Sequence, residues 1–298
     1  MNSLPFDESR ARTVLEAACA RAGLPSPAGA RLLALGENAV LAVDHVVVKI
    51  GRDAGLAERA ERELRVAEWL AGQGVPAPRP AAALADGRPL VVDGHPVTVW
   101  ERLPDAVRPA GPADLAELLR AVHRLPAPPV PLPRRDLLSG VERWLLAAEG
   151  HIDPADAAYL RSRRDGFAEA AAELVPHLPP GPIHGDALTR NVHIGPDGPV
   201  LLDLETFSGD LREHDLVVMA LSHDRYGVPA AAYRAFTGTY GWDVRDWEGC
   251  AVLRGARETA SASWVAQHVP GNPAARAEFR RRVESLRAGD ASVRWYPF

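Results

Sequence analysis

Three short β-prone runs stand close together near the start of the chain: Arg31–Leu35, Ala39–Val43 and Val46–Ile50. Gly-Glu-Asn separates the first two, and Asp-His the second two. Turns that short join antiparallel neighbours, so the chain must build a small meander early. The next segment, "GLAERAERELRVAEWLAGQGVP", changes to helical periodicity and closes on Gly72, Gly74 and Pro76. An acid-led helix over 7–22 precedes the meander, and two further strands are expected around Ala81–Ala85 and Pro96–Arg102. Beyond "LPDAVRPAGP", which reads as a connector, the pattern turns helical at Ala113–Leu125, Leu137–Ala148 and Pro154–Leu174. One β-hairpin with a Pro-Asp-Gly turn interrupts at "NVHIGPDGPVLLDLE", and helices resume at "EHDLVVMALSH". The expectation is an α+β chain with a strand-rich lobe over 1–102 and a larger, mostly helical lobe over 103–298.

Composition narrows the function class. A net charge of −5 argues mildly against a nucleic-acid partner, which usually demands a basic face. Cys19 and Cys250 are far apart and form no metal or disulfide motif, which fits a cytoplasmic protein. The opening residues carry acids where a signal peptide needs an apolar run, and no segment has the length and apolarity of a membrane span. A monomer or homodimer is expected, with a small molecule as its partner.

One residue stands out. Lys49 is the only lysine in 298 residues; the other 33 basic residues are arginine. A solvated surface would accept arginine as readily. A site that keeps lysine needs a compact ammonium on a thin stem. Lys49 ends the apolar strand "VVVK", where alternation turns a side chain toward a cleft, and a buried ammonium there needs an acid. On a wheel of about 100° per residue, Glu63 falls about 20° from Leu56, inside the stripe of Leu56, Ala60, Leu64, Ala67 and Leu70. Glu58, Glu61 and Glu68 fall outside it. An ion pair between Lys49 and Glu63 follows as an expectation.

A second constellation is "IHGDALTRN" followed by "LLDLE". Asp186 and Asn191 are five residues apart in a loop, and Asp203 ends a strand twelve residues further on. Oxygen-bearing side chains at such positions suit Mg²⁺, and an aspartate beside them can take a proton from a hydroxyl. Several residues keep an ordinary structural reading: His123 as a packed histidine, Asp215 as a brace at a helix start, and Trp242, Trp247 and Trp264 as core. The acids Asp243, Asp246, Glu248 and Glu258 read as a solvated face.

"HGDALTRN" with "LLDLE" resembles the catalytic and metal motifs of the aminoglycoside phosphotransferase family, whose fold is that of the protein kinases. "LGENAVLAV", "VVVKIGR", "ERELRVAEWLAGQGVPAPRP", "VTVWERLP" and "SGDLREHDLVVMA" resemble further family segments, in order along nearly the whole chain. The resemblance implies that Lys49 holds nucleotide phosphates and Glu63 positions it. It implies Asp186 as the base, or as the residue that orients the hydroxyl. Asn191 and Asp203 then hold the metal, and His184 braces the loop. Glu205 is either in the metal shell or one step behind it. Backbone groups at Gly36-Glu37-Asn38 are candidates to cradle phosphates, with Asn38 the candidate side chain. The purine is expected against the segment from Glu101 to Leu103. The implied activity is transfer of a phosphoryl group from ATP or GTP, with Mg²⁺, to a hydroxyl of an aminoglycoside or other antibiotic. Choline, homoserine and amino-sugar kinases share these motifs. A nucleotide-binding protein without catalysis is the reading from another class, but Lys49, Asp186, Asn191 and Asp203 are all present.

Overall fold

The computed structural model describes residues 6–82 and 87–296. The chain divides into two compact units. The first takes Met1–Ala110, Leu125–Leu132 and Arg190–Phe207; the second takes Gly111–Arg124, Pro133–Thr189 and Ser208–Phe298. Arg190–Phe207 thus join the first unit from far along the sequence.

The first unit is built on an antiparallel sheet in the order β1-β2-β3-β5-β4. Its strands are β1 (Arg31–Leu35), β2 (Asn38–Val43), β3 (Val46–Gly51), β4 (Leu90–Val92) and β5 (His95–Glu101). The meander therefore forms over the three runs that announced it. Helix α1 (Glu8–Ala22) starts on an Asp7 cap, whose side chain accepts from Arg10 N, and stops at Gly23 in the left-handed region. It packs on β3 and β4. Helix α2 (Ala57–Gly72) lies against β5 and buries Leu64, Val66, Ala67 and Leu70.

The strand expected at Ala81–Ala85 does not form at Ala81 or Ala82, and 83–85 lie outside the described residues. The partner of β5 is Leu90–Val92 instead. Its hairpin turns on Asp93-Gly94, both at positive φ (50° and 81°), which is the two-residue turn that antiparallel twist favours. That Asp-Gly pair is the sequence signal for the hairpin. Gly51 ends β3 where a Cβ would stand 2.7 Å from Pro96 Cγ and 3.3 Å from Leu56 Cβ. Gly51→Ala is therefore expected to cost about 1–3 kcal/mol by overpacking, read as a lower denaturant midpoint.

The second unit is mainly helical: α3 (Pro112–Val122), α4 (Val141–Ala147), α5 (Pro154–Ala172), α6 (Glu213–Tyr226), α7 (Ala230–Tyr240), α8 (Cys250–Ala266) and α9 (Pro273–Arg287). Helix α8 is its centre, packed by α4, α5, α6 and α9 around Leu145, Leu160, Val265, Phe279 and Trp295. Helix α4 starts later than the sequence pattern predicts. Asp136 Oδ1 accepts from Leu138 N and Ser139 N at 3.0 and 2.9 Å, so a side-chain turn replaces the expected first helical turn. Two three-residue strands, β6 (Gly181–Ile183) and β9 (Ser208–Asp210), pair antiparallel in this unit. Between them in sequence, β7 (Val192–Gly195) and β8 (Gly198–Leu201) form the expected hairpin, which belongs to the first unit. Among the described residues, no helix is long and apolar enough to cross a membrane.

Candidate active site

Alternation along β3 buries Val46, Val48 and Ile50 and turns Val47 and Lys49 to the other face. There they line a cavity of about 700 Å³ within the first unit. Leu33, Val40, Trp100 and Leu202 add apolar wall, and Glu101 and Leu103 also line it. This mixture of an apolar wall with a few converging polar groups is typical of a ligand site.

Lys49 is only 15% exposed, and its ammonium is surrounded by carboxylates. Nζ donates to both Glu63 oxygens at 3.0 Å, lies 2.7 Å from Glu205 Oε2 and 3.9 Å from Asp203 Oδ1. Glu63 reaches it from α2, where it is the buried acid of the helix. Burial works against the ammonium, but Glu63, Glu205 and Asp203 outweigh it and hold its pKa above the ordinary lysine value. Burial pushes Glu63 up to about 7; Lys49 pulls it down, while Glu205 and Asp203 push it further up. More negative than positive charge therefore meets here.

Glu205 is held from three sides. Besides Lys49, it accepts from Asn38 Nδ2 at 2.9 Å and from Arg59 Nη2 at 2.8 Å. Burial opposes its charge, but Lys49 and Arg59 prevail and lower its pKa. Arg59 also bonds Glu37 at 3.0 Å and so ties the β1–β2 turn to this cluster. Arg59 lies one helical turn before Glu63, a spacing that could have exposed it in the sequence. In the β1–β2 turn, Gly36 N–H donates to Asn38 O at 2.9 Å, and Arg52 N–H donates to Glu37 O at 3.0 Å. The Gly36 N–H expected to cradle phosphate is thus already engaged within the turn. Glu101 N–H likewise donates to Arg79 O at 2.8 Å.

Asp203 sits in the left-handed region, at φ 57°, where aspartate is among the few side chains tolerated. Its side chain is 40% exposed. One oxygen each from Glu63, Asp203 and Glu205 lie within 4.8 Å of one another. A hard divalent cation fits such an oxygen set and would offset its excess negative charge. Asn191 is buried in the same unit, and its carbonyl accepts from Leu202 N at 2.8 Å, tying it to the strand that leads to Asp203.

Asp186 belongs to the second unit. Its loop is fixed by a buried polar cluster. Asp215 Oδ2 accepts from His184 N and Oδ1 from Gly185 N, both at 2.8 Å. His123 Nε2 donates to Asp215 Oδ2 at 3.0 Å, and His123 Nδ1 is 2.9 Å from the Tyr240 hydroxyl. Asp186 N–H donates to His184 Nδ1 at 3.2 Å. Asp215 thus braces the "HGD" loop, where the sequence suggested only the start of its own helix. Gly185 takes φ 85° in this loop, a conformation glycine adopts without strain.

Burial opposes the Asp215 charge, but His123, His184 and the backbone donors prevail, and its pKa drops to about 2. A lowered folded-state pKa stabilises above the unfolded value and loses that stability as pH falls through the folded value. Asp215 therefore contributes about 2 kcal/mol that disappears between about pH 4 and about pH 2. Asp215→Asn is expected to unfold at lower temperature at neutral pH. Its deficit against the wild type should shrink across that acid window in thermal melts.

The sequence profile of the phosphotransferase enzyme family, APH, matches residues 31–253. The chain belongs to this family. It is a small-molecule phosphotransferase with the protein-kinase-like fold. An amicoumacin kinase, hAmiN, solved with AMP-PNP, Ca²⁺ and Ami, is 14% identical, with a TM-score of 0.71 over 96% of this chain and 97% of that one. A microcompartment-associated aminopropanol kinase is 18% identical, with a TM-score of 0.69 over 94% and 98%. A choline/ethanolamine kinase family protein from Mesorhizobium loti is 19% identical, with a TM-score of 0.63 over 92% and 94%. Identities this low show the shared fold alone. No curated protein sequence matches the chain.

For this APH phosphotransferase, the structure brings Lys49, Glu63, Asn38, Asp203 and Glu205 together in one cluster. Other expectations change. Trp264 is 44% exposed and so is not core. Glu258 is buried and bonded to Arg225 at 2.7 Å, so it is no part of a solvated face. Asp243 is held by Arg245 and by the Tyr233 hydroxyl, at 2.7 and 2.6 Å. Arg257 and Arg135, which both reach the "HGD" loop, carried no sequence signal.

Proposed function

We propose that the chain transfers the γ-phosphoryl group of ATP or GTP, with Mg²⁺, to a hydroxyl of a small molecule. The observation that carries this reading is the Lys49 ammonium, bonded to Glu63 and Glu205 at the wall of the cavity in the first unit. Lys49 neutralises nucleotide phosphates, and Glu63 aims it. The base packs against the apolar wall near Glu101 and Leu103. Asp203, with Asn191, would hold the cation, which supplies charge neutralisation on the phosphates. Asn38 serves the site through Glu205, which it orients.

In the second unit, Asp186 orients the acceptor hydroxyl and takes its proton. The acceptor oxygen bonds to the γ-phosphorus, the bond from that phosphorus to the β,γ-bridging oxygen breaks, and the nucleoside diphosphate leaves with that electron pair. The proton passes from Asp186 to solvent. The acceptor belongs among antibiotics, aminoglycosides included, or metabolites with a free hydroxyl. The protein works in the cytoplasm as a monomer or homodimer.

The test is acceptor-dependent release of nucleoside diphosphate. Mg-ATP and Mg-GTP are offered with aminoglycosides, peptide and macrolide antibiotics, choline, amino sugars and hydroxy acids, with Asp186→Ala as the blank. Release that vanishes in the blank supports a kinase and names its acceptor class. Tight nucleotide binding without release for any acceptor supports a nucleotide-binding protein that has no transfer activity.

A further inference from the structure

Two guanidinium groups converge on one carbonyl beside the proposed base. Arg257 Nη2 donates to Gly185 O at 2.9 Å, and Arg135 Nε donates to the same oxygen at 3.0 Å. Arg257 Nη1 stands 4.0 Å from Asp186 Oδ1. Two cations this close repel one another strongly where water is scarce. Arg257 Nε is buried and unpaired. Burial outweighs Asp186 and brings the Arg257 guanidinium down to about 10, as expected of a cation short of counter-charge.

The neighbouring acids have other work. Asp215 holds His123 and the loop backbone. Asp210 accepts from Arg134 at 3.3 Å and from Arg135 N and Leu211 N at 2.9 and 2.8 Å. His214, also buried here, adds no charge near neutral pH. Burial lowers its pKa to about 4, with Asp210 opposing and Arg257 assisting. Two acids of the late helical segments are also committed: Glu258 to Arg225 and Asp243 to Arg245. The place beside Asp186 therefore favours negative charge and opposes a polycation. It also reaches solvent, since the Arg257 and Asp186 side chains are 13% and 24% exposed.

We propose that Arg257, supported by Arg135, forms an oxyanion subsite beside Asp186, and that the acceptor is a hydroxy compound carrying a carboxylate or phosphate close to its reacting hydroxyl. The proposal rests on the kinase reading with Asp186 as base. If the hydroxyl bonds Asp186 and the anion bonds Arg257, each at hydrogen-bond distance, about two or three carbon atoms separate them.

The test compares short hydroxy acids and hydroxyalkyl phosphates with their carboxamide or uncharged analogues, and with aminoglycosides, in the diphosphate-release assay. Acidic acceptors should turn over with KM at least about tenfold below their neutral analogues. Arg257→Gln removes the cation and should raise that KM by about 10–100-fold, leaving the nucleotide KM unchanged. Arg257→Lys should keep part of the preference for acids. Turnover of aminoglycosides that Arg257→Gln leaves intact overturns the proposal. So does an equal loss for acid and neutral acceptors with a raised nucleotide KM, which would place Arg257 on the donor's phosphoryl group.

A binding measurement separates the two readings. The Arg257 Nε–H resonance, assigned by its loss in Arg257→Gln, is followed while acetate or inorganic phosphate is added. A saturable shift supports the subsite even if no acceptor turns over, in which case the kinase reading is the one that fails. No shift with either anion overturns the subsite.

Discussion

Asp186→Ala is expected to lower turnover by roughly 10²–10⁴-fold while nucleotide affinity stays within about threefold. Backbone donors hold the loop that carries Asp186. Asp215 holds the His184 and Gly185 N–H groups, and His184 Nδ1 receives the Asp186 N–H. Alanine keeps every one of those backbone donors. The variant should therefore fold, with thermal stability near that of the wild type. It also lacks a carboxylate that Arg257 faces at 4.0 Å. A small loss of stability is expected from that source, because the carboxylate is counter-charge for the buried guanidinium. Single-turnover kinetics with an acceptor identified by the release assay would separate the effects. A loss confined to the chemical step with unchanged nucleotide binding fits a group acting on the hydroxyl. Turnover that survives the substitution would remove Asp186 from the role of base, and the loop would then be a scaffold for another group.

The legible parts of the fold have long or strongly periodic signals. Three strands with two-fold alternation, and a helix whose stripe encloses one glutamate, are enough to place Lys49 and Glu63 on facing elements from the order of residues alone. Short elements are not legible. Gly181–Ile183 and Ser208–Asp210 have three residues each, too few for a period, and they exist because they pair with each other. Glu205 is ambiguous in the sequence for a different reason. Its partners Asn38 and Arg59 are 167 and 146 residues away, so no local spacing could report that its oxygens are already bonded. Arg257 is hidden in the same way. Arginine on a helix is usually a solvated residue, and only the packing of α8 against the loop reveals a guanidinium on Gly185 O. The sequence puts Asp215 on the correct helix but misses what it holds, because its backbone donors come from another segment.

Lys49→Arg is expected to lower kcat/KM by about 10²–10³-fold, although the charge is conserved. The reason is the shape of the cluster. The ammonium meets Glu63 at 3.0 Å through both oxygens, Glu205 at 2.7 Å and Asp203 at 3.9 Å. Those acids come from α2 and from the segment after β8, not from a single plane. A guanidinium presents its donors in one plane and is longer, so it would satisfy one carboxylate in a fork and displace another. The expected signature is a raised nucleotide KM together with a lower kcat, since both the hold on the phosphates and the alignment of Glu205 are disturbed. Lys49→Ala should be worse for stability than Lys49→Arg. It leaves Glu63 buried without its cation beside two more acids, and removing one partner of a buried pair costs about 3–5 kcal/mol. Protonation of Glu63, whose pKa already stands at about 7, would relieve part of that cost, so the Lys49→Ala deficit should be smaller at pH 6 than at pH 8. Near-wild-type kinetics for Lys49→Arg would mean that a point charge is enough here. The single lysine of an arginine-rich chain would then be an accident of composition, and the argument from its solitude to a phosphate site would lose its footing even if the chain remained a kinase.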